Sequence, residues 1–130
     1  MSVPIDKQVE KIVEVEVEKP ATGRPHEGKV LAAVQAHADD IPLFSAGAIA
    51  KLVDEGYTAY LIQTTNDEKC GPTSSLGETV LINEREIDDM ARVLGFEQVF
   101  HLGYRNHRLD EASPTELRAR LVFLLSLIHI

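Results

Sequence analysis

His37, Asp39 and Asp40 stand together at the end of the apolar run Lys29-Val30-Leu31-Ala32-Ala33-Val34-Gln35-Ala36. An imidazole and a carboxylate three residues apart can converge on one point where a chain turns out of a strand. A nitrogen and an oxygen donor together suit Zn²⁺ or a similar divalent ion. Asp39, between them, projects elsewhere and is placed to take a proton from water held on such an ion. The same spacing also serves a plainer purpose, with Asp39 and Asp40 at the head of the next helix and His37 an ordinary strand-end residue. Residue types and spacing alone leave these two readings level.

The elements that would position the cluster follow from periodicity. Lys29 to Ala36 is a short apolar run of the kind buried in parallel sheets, and open α/β sheets bind ligands outside the carboxyl ends of their strands. From Pro42 to Glu55, apolar residues at Leu43, Ala46, Ile49, Ala50 and Val53 have helical spacing, and Gly56 supplies the stop. Tyr57 to Thr64 reads as a second strand, followed by a long polar loop from Thr65 to Gly77. A second helix is expected from about Thr79 to Leu94, ended by Gly95, and a third strand from Glu97 to Leu102. Ser113-Pro114-Thr115-Glu116 combines an N-cap Ser, Pro at the first helical position and Glu three residues on, a strong helix start. Strands alternating with helices predict βαβ units and a parallel sheet.

The remaining features narrow the function classes. The 13 basic and 21 acidic residues give a net charge of −8, with no dense Lys/Arg cluster, which disfavours nucleic acid as a partner. Cys70 is the sole cysteine, so no disulfide can form within the chain, and a reducing compartment fits. The N-terminus has no signal-peptide pattern and no run reaches membrane-spanning length, so no transmembrane segment is expected and the chain is read as cytoplasmic. Gln8 to Glu18 alternates apolar and acidic residues as an edge strand would, and Lys19 to Gly28, with two Pro and two Gly, reads as a linker.

Val34-Gln35-Ala36-His37-Ala38-Asp39-Asp40 resembles the Ala-His-Pro-Asp-Asp signature of the PIG-L/LmbE-like family of N-acetylglucosamine deacetylases, with Ala38 in place of the usual Pro. The small-residue helix Phe44-Ser45-Ala46-Gly47-Ala48, Arg85-Glu86, Arg92-Val93-Leu94-Gly95 and Leu102-Gly103-Tyr104 follow in the family's order, so the resemblance runs from Lys29 to about Leu124. It implies a Rossmann-like three-layer α/β sandwich with a mainly parallel sheet. It also implies zinc-dependent hydrolysis of the N-acetyl group of an N-acetylglucosamine-type glycoconjugate, either a small molecule or a glycolipid. On this resemblance His37 and Asp40 are ligands to Zn²⁺ or another divalent metal, and Asp39 is the general base. Asn66 and Asp67 are expected to contact sugar hydroxyls. Arg85 is expected to stand in for a family Arg whose own position holds Asn83, and Asn106 to hydrogen-bond the sugar where the family often has Pro-Asp-Gly. His101 and His107 are read as a strand residue and a solvent-facing loop residue.

Family members draw a third metal ligand from a His-Pro-Asp-His-like motif beyond the third helix, and no such motif follows here. The terminal Leu125-Ser126-Leu127-Ile128-His129-Ile130 resembles one reading frame of a transposon-end sequencing adapter. The expected organisation is thus an N-terminal extension over 1–28, the first part of a deacetylase domain over 29–124 with its sheet incomplete at the C-terminus, and a non-native tail over 125–130. Such a fragment is expected to have little activity. The alternative is a non-catalytic α/β metal-binding or interaction module. A phospho-acceptor domain is disfavoured, because the third strand ends Phe100-His101-Leu102-Gly103 without an acceptor Asp, and a nucleotide-binding module is disfavoured, because no Gly-rich phosphate loop follows the first strand.

Overall fold

The computed structural model describes residues 23–72 and 74–129. The edge strand expected over Gln8 to Glu18 lies outside them. Three parallel strands, β1 (Val30–Gln35), β2 (Thr58–Thr65) and β3 (Phe96–Tyr104), form one sheet in the order β1-β2-β3. Helices α1 (Asp40–Phe44) and α2 (Ala46–Asp54) follow β1, α3 (Leu76–Leu94) follows β2, and α4 (Pro114–His129) follows β3 after a 3₁₀ turn at Leu109–Glu111. This is the expected α/β sandwich.

Strand β2 is central and covered on both faces, and Leu61 and Ile62 are wholly buried. Burial of each such side chain is worth about 1.5–3 kcal/mol. Alternation along the strands sends the two to opposite layers. Leu61 packs with Ile41, Ile49, Ile87, Ala91 and Phe96 beneath α1 to α3, while Ile62 packs with Leu102 and Ile128 beneath α4. Leu117, Leu121, Leu124 and Ile128 form the inner stripe of α4, at the spacing of one helical face.

The ends of the helices depart from the expected ones in two places. The single helix expected from Pro42 to Glu55 is broken at Ser45 (φ −141°), although Ser45 N–H donates to Ile41 O and Ile49 N–H to Ser45 O, both at 3.0 Å. Because hydrogen bonding and apolar spacing both continue across the bend, periodicity does not reveal it. Helix α3 begins at Leu76, three residues before Thr79, because Ser75 Oγ accepts the Glu78 N–H and caps it. Gly95 ends α3 in the left-handed conformation at φ 81°, as the sequence predicts. On the first residues described, His26 stacks on Tyr57 with ring centroids 4.9 Å apart and lies 3.4 Å from Glu55 Oε2, fastening this turn to the end of α2.

Candidate active site

The carboxyl ends of all three strands open on one side of the sheet. Register pairs Gln35 with Gln63, the last step of the β1–β2 ladder before the His37 cluster. Gln35 Nε2 donates to Gln63 Oε1 at 2.7 Å, and Gln35 Oε1 accepts Ile41 N–H at 3.1 Å, which ties the strand end to α1. Gln63 Nε2 and Thr65 Oγ1 both donate to Ala36 O, at 2.9 and 2.7 Å. The backbone leading into His37 is therefore held by the buried Gln63 amide and Thr65 hydroxyl.

The two adjacent aspartates differ. Asp40 Oδ2 accepts the backbone N–H groups of His37 and Ala36, at 2.9 and 3.1 Å, and lies 3.8 Å from His37 Nδ1. Asp39 occupies the N-cap position of α1, yet its carboxylate does not cap the helix and has no hydrogen-bond or ion-pair partner among the described residues. It faces a cleft of about 440 Å³ lined by His37, Ala38, Asp67, Cys70, Asn83, Glu86 and His107 besides itself. Capping therefore does not account for Asp39.

A latch built on Asp67 joins three loops across this cleft. Its carboxylate accepts Ala38 N–H at 2.6 Å and Asn106 Nδ2 at 3.0 Å, so the loops after β1, β2 and β3 meet on one side chain that is 2% exposed. Since a carboxylate only accepts, it also sets which end of the Asn106 amide faces it. Asn66 Oδ1 accepts the N–H groups of Glu68 and Asn106, and Asn83 Nδ2 donates to the carbonyls of Asp67 and Cys70.

Residues 32–128 match the family model PIG-L, GlcNAc-PI de-N-acetylase. The chain belongs to the PIG-L family. Its fold is similar to that of the N,N'-diacetylchitobiose deacetylase of Pyrococcus horikoshii in complex with an inhibitor, with a TM-score of 0.68 and 25% identity over 96% of this chain and 47% of that one. It is also similar to GalB, the 4-carboxy-2-hydroxymuconate hydratase of Pseudomonas putida, with a TM-score of 0.66 and 17% identity over 77% of this chain and 43% of that one, a likeness of fold alone. The PIG-L chain thus spans about half the length of these solved structures. No curated protein matches it.

The structure brings His37, Asp39, Asp40 and Asp67 of this PIG-L chain together, but it separates the other expected sugar contacts. Asn106 is fully buried and Asn66 spends both ends of its amide on Glu68 and the Asn106 N–H, so both hold loops in place and stand off the cleft wall. Arg85 is exposed and outside the cleft lining, to which the same helix contributes Asn83 and Glu86. Neighbours in a helix are about 100° apart, so Arg85 cannot share the face of Asn83 and Glu86. The signal that would have found that face is the polar stripe Thr79, Asn83, Glu86, at i, i+4, i+7. His101 is the strand residue expected, 3.0 Å from Asp88 Oδ1, whereas His107 lines the cleft with its ring centroid 6.0 Å from that of His37.

The donor chemistry of His37 and Asp40 fits a zinc-type ion. Two ligands about 2.1 Å from one ion must lie within about 4.2 Å of each other, and these are 3.8 Å apart. Among the described residues, no group of three or more His, Cys, Asp or Glu side chains is clustered to hold a metal, and no helix is long and apolar enough to cross a membrane.

Beside the latch, Arg105 Nε donates to Glu68 Oε1 at 2.9 Å. Burial pushes the Glu68 carboxyl up, but hydrogen bonds from Arg105 and Asn66 and the charges of Arg105 and Lys69 outweigh it and hold the pKa below its ordinary value. A carboxyl whose pKa is lower folded than unfolded stabilises the fold above its unfolded pKa, and the contribution disappears as pH falls through the folded one. Arg105→Gln is thus expected to move the acid-unfolding midpoint, followed by circular dichroism, to higher pH. Coincident acid curves would remove Arg105 from this account.

Proposed function

We propose that the cleft belongs to a metal-dependent de-N-acetylase acting on an N-acetylglucosamine-type glycoconjugate. The observation that carries this reading is the division between the two aspartates, with Asp40 folded back beside His37 and Asp39 unpartnered in the same cleft. His37 and Asp40 would hold Zn²⁺ or another divalent ion, which when bound polarises the acetyl carbonyl and makes water easier to deprotonate. Asp39 accepts a proton from water as the water oxygen bonds to the acetyl carbon. The carbon–nitrogen bond then breaks, and the same proton passes from Asp39 to the departing nitrogen. The products are acetate and a free amino sugar. Asp67, Asn66 and Asn106 position the loops, and Glu86 and Asn83 form the α3 wall against which the sugar would lie.

Membership of the PIG-L family and likeness to a chitobiose deacetylase support this reading. The test is acetate release, matched by appearance of primary amine, from N,N'-diacetylchitobiose and N-acetylglucosaminyl-phosphatidylinositol in the presence of Zn²⁺. Release that is lost in His37→Ala is expected. A folded chain that takes up zinc and releases no acetate from either substrate would instead favour a metal-binding module.

A further inference from the structure

Asp39 borders two hollows. Beyond the cleft, Ala38, Asp39 and Glu86 also line a groove of about 260 Å³, walled by Pro42 and Leu43 of α1 and by Ile87 and Met90 of α3. We propose that this groove receives the acyl chain of the substrate amide, so that the protein accepts amino sugars whose N-acyl group is longer than acetyl. The inference rests on the proposed function, with Asp39 as the proton acceptor.

Reach comes first. A proton acceptor stands about 2.6–3.2 Å from the water it activates, and that water about 3–3.5 Å from the carbon it attacks. The acyl carbon therefore comes within about 7 Å of the Asp39 carboxylate. It carries an oxygen, the nitrogen bearing the sugar, and the alkyl chain. Sugar hydroxyls need polar partners, because burying a hydroxyl without one is costly. Asp67, Asn83 and His107 offer such partners in the cleft, and none of them lines the groove. Along one face of α3, Asn83 and Glu86 give way to Ile87 and Met90 a turn later, so the wall turns from polar to apolar beside Asp39. Of the three substituents, the alkyl chain is the one this groove suits.

Size and construction agree. A water molecule takes about 30 Å³ in the liquid. A methyl group is of similar bulk, so the groove holds a chain of several carbons. Its floor is firm, since Ile87 is 3% exposed within the core beneath α1 to α3 and Met90 packs against that core. The flexible thioether of Met90 fits varied shapes. Leu43 is 67% exposed, and a chain lying in the groove would shield it.

Calorimetric titration of the metal-free protein with the methyl glycosides of N-acetyl-, N-butyryl- and N-hexanoylglucosamine tests the inference. Affinity is expected to rise about fourfold per added methylene, the gain usual for burying one. Leu43→Asp is expected to flatten the series, whereas Phe44→Asp, on α1 but outside the groove, should leave the gradient in place. A flat series in the wild type, or a gradient that survives Leu43→Asp, would overturn the inference. Hydrolysis with Zn²⁺ separates it from the reading it rests on. Release of butyrate and hexanoate alongside acetate is expected. Release of acetate alone would overturn the inference and leave the proposed function standing, and release of no acid from any of the three would overturn both.

Discussion

Asp39→Asn is expected to lower the rate of acetate release by about 10²–10⁴-fold, the contribution usual for a positioned proton acceptor. The substitution keeps the size and shape of the side chain and removes only its basicity. Because the Asp39 carboxylate has no hydrogen bond or ion pair among the described residues, thermal stability should be unchanged. Zinc affinity should also persist, since the proposed ligands are untouched. The expected pattern is a fall in kcat with KM nearly constant, and a variant that retained wild-type kcat would remove Asp39 as the base.

The largest effect on stability is expected at Asp67. Asp67→Ala removes the acceptor of Ala38 N–H and of the buried Asn106 amide. Hydrogen bonds to a charged acceptor contribute about 1.5–3 kcal/mol each, so a loss of about 3–6 kcal/mol is expected. That is a large part of the roughly 5–15 kcal/mol typical of a whole domain. Asp67 also has φ 54°, which alanine tolerates poorly. Asp67→Gly should therefore lose less than Asp67→Ala by about 1 kcal/mol. Urea unfolding of the two variants checks both figures, and equal losses would show that backbone conformation contributes nothing here.

Strand β1, the central strand β2 and the His37 cluster were legible in the sequence because each announces itself locally, through a run of one residue class broken by another. The start of α3 was less so. Thr73 to Gly77 has the composition of a loop, and the Ser75 cap lies inside it. Arg85 was assigned by residue type at a family position, whereas helical geometry gives that face to Asn83 and Glu86. Asn66 and Asn106 look like ligand-contacting loop residues until the three loops are brought together. They then prove to bind one another, a pairing between residues 40 apart in the chain. The sequence places His107 in a loop and predicts that it faces solvent. It is exposed, but the fold aims its loop at His37, and no local pattern reports such a convergence.

The Ala36 carbonyl ties the His37 cluster to the neighbouring strand. Its oxygen has two lone pairs, and Gln63 Nε2 and Thr65 Oγ1 occupy both. The peptide group that leads into His37 is thereby held from β2 at two points. Two buried side chains of β2 thus hold the turn that carries His37, Asp39 and Asp40 to the frame of the sheet, so a change at Gln63 or Thr65 would reach the cluster without touching it.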